Sequence, residues 1–333
     1  MATASTPHLR GTFSVAALCL LLTSQSVASH EYSSLIRAKK YEEVERLASS
    51  RLAAEPNQAD ALVGRVEAIV TQGLEHRFDE AVKLAEQCIA AHPQKSGCHE
   101  ALGNALGTKA MTAGILSAMG YAGKIRDAFK KAVELDPQNL DARFSLLQYY
   151  LQAPGIVGGG KGNAQELVTQ TAKVSADAAK LMQAQLDLAD DAFAKAEAAA
   201  LSIQAPGSLT LQDAQRDLLI GLGTKYVQDK KYADGQRVFQ EVARRFPDSE
   251  WGPYGMARTL QEQGRNKDAI TLFEKALAIE PRAHIHYRMA QCWQALSDKS
   301  KALAAFEKSL DFKPGLGKKQ RADAQEQLKA LRG

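Results

Sequence analysis

The chain has 333 residues, 45% of them hydrophobic and 24% charged, which is too apolar for a disordered polypeptide. Aromatic residues make up only 6%, and runs rich in β-branched and aromatic residues are scarce, so a large β-sandwich or barrel is excluded. The net charge of +4 comes from 42 basic and 38 acidic residues mixed along the chain. That mixture offers neither the concentrated basic face of a nucleic-acid binder nor a polybasic anchor for anionic lipid.

The first segment reads as an export signal. Arg10 is the only formal charge before Glu31, an apolar run follows from Phe13 to Leu22, and Ser26-Val27-Ala28-Ser29 supplies small residues for cleavage. The apolar run is too short to span a bilayer, and no second long one follows. Leu18 stands before Cys19 where a lipidation signal wants a small residue, so an acyl anchor is not expected. Residues 1–28 contain one basic residue and no acid, so their removal takes the net charge from +4 to +3. The expected product is exported, and a bacterial periplasm fits the compact signal and alanine-rich chain.

Beyond the signal, prolines recur at 56, 93, 137, 247, 281 and 314. Twelve residues before each stands a small or aliphatic residue: Val44, Ala81, Ile125, Gly235, Ala269 and Ala302. Eight before each stand Ala48, Ala85, Phe129, Phe239, Phe273 and Phe306. This register predicts helical hairpins. The small residue lets two antiparallel helices approach, the residue four places on fills the groove from the same face, and the proline stops the helix. Leu222-Gly223 with Tyr226, and Leu102-Gly103 with Leu106, supply the first helices, where Gly223 is expected to make room for Tyr226.

These residues resemble the tetratricopeptide repeat, with its 34-residue L-G-x2-Y … A-x3-F … P pattern. The likeness is best at Asp217–Pro247, Glu250–Pro281 and Ala283–Pro314, and fair at Ala59–Pro93 and Ser96–Pro137. A 44-residue gap before Pro137 implies an insertion near Ala110–Gly120. The 110-residue gap before Pro247 holds three repeats, with helices at Leu140–Gln152, Asn163–Lys173, Ala178–Leu188 and Ala192–Ile203. About eight hairpins result, the first at Glu31–Pro56, in an array covering residues 29–317. A capping helix within 318–333 follows, its stripe of Ala324, Leu328 and Leu331 backed by polar residues. The resemblance implies an all-α, right-handed superhelical solenoid with a concave groove. It also implies a non-enzymatic scaffold, without cofactor, that binds a protein or peptide partner there.

Candidate sites are few. Gly155–Gly162 carries the G-x-x-x-x-G-K part of a phosphate-binding loop, with Lys161 in the lysine position. A helical pattern precedes it, however, and Gly162 replaces the hydroxyl residue, so a long flexible turn is the simpler reading. A weak nest of backbone N–H groups for an anion remains open. Cys88 and Cys98 flank the turn at Pro93, where either a disulfide or two small buried thiols would fit, leaving Cys292 free. With His92 and His99 they make a conceivable metal-linked cluster, but the spacing lacks the short pairs of a zinc site, so no metal is expected. No nucleophile-and-base signature occurs. The first helix of each hairpin should line the groove, presenting Val63, Glu67, Glu100, Asn104, Phe144, Gln148 and Ile220. Towards the C-terminus it presents Trp251, Tyr254, Arg258, Tyr287 and Gln291. Aromatics beside an arginine are common polypeptide anchors; the alternative for the aromatics is packing between repeats.

Overall fold

The computed structural model describes residues 31–333 apart from 205, 206 and 314, and the side chains of 115 and 116 are left aside. The segment expected to be an export signal, residues 1–28, and Pro314 therefore lie outside the described residues. Seventeen α-helices are found among the described residues, and no strand. They form eight hairpins and a cap. The pairs are α1 (Ser33–Arg37) with α2 (Tyr41–Ala54), α3 (Ala59–Gln72) with α4 (Phe78–Ala91), and α5 (Ser96–Thr112) with α6 (Ile115–Leu135). Next come α7 (Leu140–Gln152) with α8 (Lys161–Thr171), α9 (Ala176–Ala189) with α10 (Phe193–Ser202), and α11 (Leu209–Gln228) with α12 (Tyr232–Arg245). The last are α13 (Trp251–Glu262) with α14 (Asn266–Ile279) and α15 (Ala283–Ala295) with α16 (Lys299–Asp311), closed by α17 (Lys318–Arg332). Each helix packs mainly on its chain neighbours, as a solenoid requires.

Local signals set the boundaries. Pro56, Pro93, Pro137, Pro247 and Pro281 each lie two residues beyond the last residue of a helix, where the missing N–H and fixed φ forbid continuation. Four inner helices start on side-chain caps: Gln58 accepts from Ala61 N–H at 2.6 Å, Asn139 from Ala142 at 2.9 Å, Ser175 from Ala178 at 3.2 Å and Ser208 from Leu211 at 3.3 Å.

Turns inside the hairpins follow one plan. A single residue takes the left-handed conformation at Lys39, Gly73, Asp191, Lys230, Gly264 and Ser297, with φ between 58° and 75°. The next amide then donates back five residues, as Lys231 does to Tyr226 and Asp298 to Trp293, the Schellman closure of a helix end. The exceptions are the lengthened α5–α6 hairpin, at the expected insertion, and the α7–α8 connection. That connection is a tight structure rather than the flexible turn expected from its glycines. Gly158 and Gly160 have φ of 88° and 116°, and a Cβ at Gly159 would strike the Ala153 backbone.

The core is a chain of small-to-large contacts between helices. Phe239 of α12 lies against Gly223 of α11, where a Cβ would come within 2.8 Å of the ring, and against Gly255 of α13. Gly103 of α5 meets Phe129 of α6 in the same way. The space at Gly223 is thus taken by Phe239, not by Tyr226, whose ring packs edge-on to Phe193 of α10 and whose hydroxyl donates to Glu197 at 3.0 Å. Phe239, Phe273 and Phe306 recur at the same place in successive hairpins and are all fully buried.

A methyl group at Gly223 would crowd this contact. Gly223→Ala should lower stability in urea denaturation by a net ~1–2 kcal/mol, overpacking outweighing the better helix propensity. Gly107→Ala, at a helical glycine with open space around it, should raise stability by ~0.5–1 kcal/mol.

Candidate functional site: an acidic groove

The inner helices α1, α3, α5, α7, α9 and α11, together with α6, enclose a groove of about 1710 Å³. Successive first helices direct their packed faces outward against the second helices, which leaves their opposite faces turned to a common space. Val63, Glu67, Glu100, Asn104, Phe144 and Gln148 line it as the register predicts; Ile220 does not, its neighbours Leu218 and Gly221 facing inward instead.

The first hairpin closes the groove from the far side. Arg37 Nε donates to Asp213 Oδ2 of α11 at 2.9 Å across 176 residues of sequence, and its Nη2 lies 4.0 Å from Asp141 of α7. Lys39 pairs with Glu280, and its ammonium lies 4.0 Å from Glu250. The beginning of the array is thereby tied to its middle and to the turns around α13 and α14.

Eight acids and three bases line the groove, although the whole chain is slightly basic. All three bases are paired: Arg37 as described, Lys95 with Asp60 at 2.7 Å and Lys225 with Asp191 at 3.8 Å. Glu100 makes no ion pair among the described residues; its carboxylate accepts from Asn139 Nδ2 at 2.7 Å. Burial, with the nearby Asp141, Glu67 and Asp136 adding to it, pushes the Glu100 carboxyl up to about 8. Burial also raises Asp141, with Arg37 opposing, and raises Asp217, with Arg216 opposing.

The C-terminal residues singled out from sequence stand elsewhere. Phe144 lines the groove, but Trp251, Tyr254, Arg258, Tyr287 and Gln291 do not. Tyr254 and Tyr287 are only 6% and 7% exposed. Trp251 stacks on His284 and meets the edge of Tyr254, which packs on Phe273. Tyr287 donates to Asp323 of the cap at 2.6 Å and accepts from Gln291 at 2.9 Å. These aromatic rings join repeats to one another and to α17. Trp251, Arg258 and Gln291 remain partly exposed.

Other sequence candidates are built into the frame. The amides of Gly158, Gly159 and Gly160 donate to Gly155, Pro154 and Tyr150, and Lys161 pairs with Asp190, so the glycine segment spends these groups internally. Cys88 and Cys98 are joined by a disulfide with Cα atoms 5.4 Å apart, linking α4 to α5. His92 and His99 bond to the carbonyls of Asn57 and Pro93, at 2.6 and 2.9 Å. Cys292 is buried, and burial pushes its thiol up to about 12.

Sequence reasoning passed over Arg37, Asp141, Asp213 and Asp217. One signal was present: Asp217 precedes Trp251 by 34 residues and His284 by 67, the same inner-face register in three hairpins.

Residues 226–292, from the end of α11 into α15, match a family model described as the tetratricopeptide repeat. That stretch carries tetratricopeptide repeats. No curated protein matches the sequence. Among solved structures, a tetratricopeptide repeat protein from Parabacteroides merdae aligns over 90% of this chain and 95% of its own at 15% identity, with a TM-score of 0.46. The APC/C hetero-tetramer Cut9-Hcn1 aligns over 87% of this chain at 15% identity and a TM-score of 0.45; the match covers 52% of that chain, about half its length. Yeast Tom70 aligns over 90% of this chain and 86% of its own at 12% identity and a TM-score of 0.43.

Two measurements follow from the disulfide and from the Glu100 carboxyl. In the protein without residues 1–28, a thiol-reactive chromogenic reagent should find one thiol in denaturant, Cys292, and none in the native state; three in denaturant would remove the disulfide. Glu100→Gln should raise stability at about pH 9 and lose that advantage by about pH 4. A carboxyl whose folded pKa is raised costs stability as pH climbs from the ordinary carboxylate range through its folded value. Urea midpoints at both pH values check this.

Proposed function

We propose that the protein is an exported, non-enzymatic scaffold that binds a polypeptide partner along the groove between α1 and α11. One observation carries this reading: the groove of about 1710 Å³ runs along the inner faces of six hairpins and is walled by both apolar and charged side chains. Concave, largely preformed surfaces of this kind bind ligands without a large ordering cost. Tetratricopeptide repeats in the second half of the chain fit the same role. Trp251, Arg258 and Gln291 continue the inner-face register beyond α11, and we assign them to an extension of the same surface. The leader-like residues 1–28 and the Cys88–Cys98 disulfide both fit an oxidising, extracytoplasmic compartment such as a periplasm.

The test fills the groove. Gly107 faces it from α5 with open space around its Cα, so Gly107→Trp should fold and obstruct it. Gly162→Trp, at an exposed position near the start of α8 and outside the groove, is the control. In affinity capture from envelope extract, Gly107→Trp should lose the partners that wild type and Gly162→Trp retain. Equal capture by all three proteins removes the groove as the binding surface.

A further inference from the structure

We propose that the groove selects a basic polypeptide segment, one bearing lysine or arginine among apolar residues, and that Arg37 of the chain's own first helix occupies part of that cation site. This rests on the groove being the binding surface and adds the chemical class of what it holds.

The charge of the walls is the first ground. A chain with a net charge of +4 places eight acids and three already paired bases around one cavity, an imbalance that its composition does not produce. Glu67, Glu100 and Asp141 come from α3, α5 and α7, and Asp213 and Asp217 from α11, so five carboxylates from four helices border the same space. An acidic segment or a nucleic acid would meet repulsion there, whereas a cation removed from water between these walls gains from each of them. No grouping of three metal-type ligands converges among the described residues, which favours an organic cation over a metal ion.

The second ground is independent of the first. The chain itself lays a guanidinium into the groove. Arg37 reaches Asp213 at 2.9 Å and stands 4.0 Å from Asp141, carried on a helix of five residues. Arg216, outside the lining, also bonds Asp213 and Asp217, at 2.7 and 3.1 Å. Glu100 by contrast accepts from the Asn139 amide and makes no ion pair among the described residues, so an incoming ammonium or guanidinium finds there a carboxylate that no cation of the chain yet neutralises.

The apolar component comes from the lengthened hairpin. Met111 at the end of α5 is 83% exposed and Met119 on α6 is 46% exposed, both at the lip of the groove, with Val63, Phe144 and Leu218 deeper inside. Methionine adapts to varied side chains, which suits a lip that receives a partner's apolar residues.

The probe is a fluorescein-labelled peptide of alternating leucine and lysine, compared by anisotropy with leucine–glutamate and leucine–glutamine peptides of the same length. The lysine peptide should bind saturably and more weakly as salt rises. Glu67→Gln/Glu100→Gln should weaken it by roughly tenfold or more, with an unchanged fold by circular dichroism. Arg37→Ala should tighten it by removing the internal competitor. Equal binding of the three peptides, no binding of the lysine peptide, or full affinity in the double variant overturns the cationic class. Weaker binding by Arg37→Ala overturns the placeholder role. The groove reading is separate: it survives those outcomes if Gly107→Trp still abolishes capture of natural partners, and it falls if a bound lysine peptide is indifferent to Gly107→Trp.

Discussion

Everything in this molecule depends on how closely the two helices of a hairpin approach. Phe239 sits between Gly223 and Gly255, and Phe129 against Gly103, at places where a single methyl group would collide. Close approach buries the aromatic ring and fixes the crossing of the helices, and repetition of that crossing generates curvature. Alanine serves the same purpose elsewhere, as at the buried Ala81, Ala269 and Ala302. The low aromatic content is therefore compatible with a continuous core: a few rings suffice when small residues surround each one.

Curvature in turn makes the groove. The second helix of each hairpin covers one face of the first, and the other face has no partner in its own repeat. On a straight stack these faces would be open to solvent. Here α1 returns to α7 and α11 through Arg37, and Lys39 reaches Glu250 and Glu280, so the inner faces border one common groove. The disulfide between α4 and α5 braces the same half of the array, while the C-terminal half is closed by α17, with Ala324 buried against the last hairpin.

Sequence made the hairpins legible because proline and small-residue signals act locally. Five prolines lie two residues past a helix end, and the pattern at Leu140–Gln152 gives that helix to the residue. Turns were less legible: the left-handed position is filled by Lys39, Asp191, Lys230 and Ser297 as well as by glycine, and the backbone closure, not the residue type, is what repeats. Glycines in the 155–162 segment advertised a phosphate loop yet serve a turn whose φ values only glycine meets cheaply. The register places Glu67 and Glu100 on the groove face but does not single out Asp141, Asp213 or Asp217. Each of those three looks like an ordinary solvated charge, and only the superhelix makes the five acids neighbours. Tyr254 and Tyr287 stood out because aromatics are rare, and that rarity reflects their use as packing.

The acids also run against the stability of the free chain. Glu100 is drawn out of water beside like charges with the Asn139 amide as its hydrogen-bond donor, and Asp141 is raised by burial against the opposing effects of Arg37 and of the Thr210 hydroxyl, which donates to it at 3.0 Å. A glutamine at position 100 would keep the hydrogen bond to Asn139 without the charge. Local features that oppose folding and bring no structural gain mark functional surfaces in otherwise consistent proteins. In this chain the proline ladder, the helix caps and the ring-to-glycine contacts all agree with the fold, and the inner acidic wall is the place that does not. A bound cation would turn that cost into affinity, because the same burial that penalises an unpaired carboxylate strengthens a paired one.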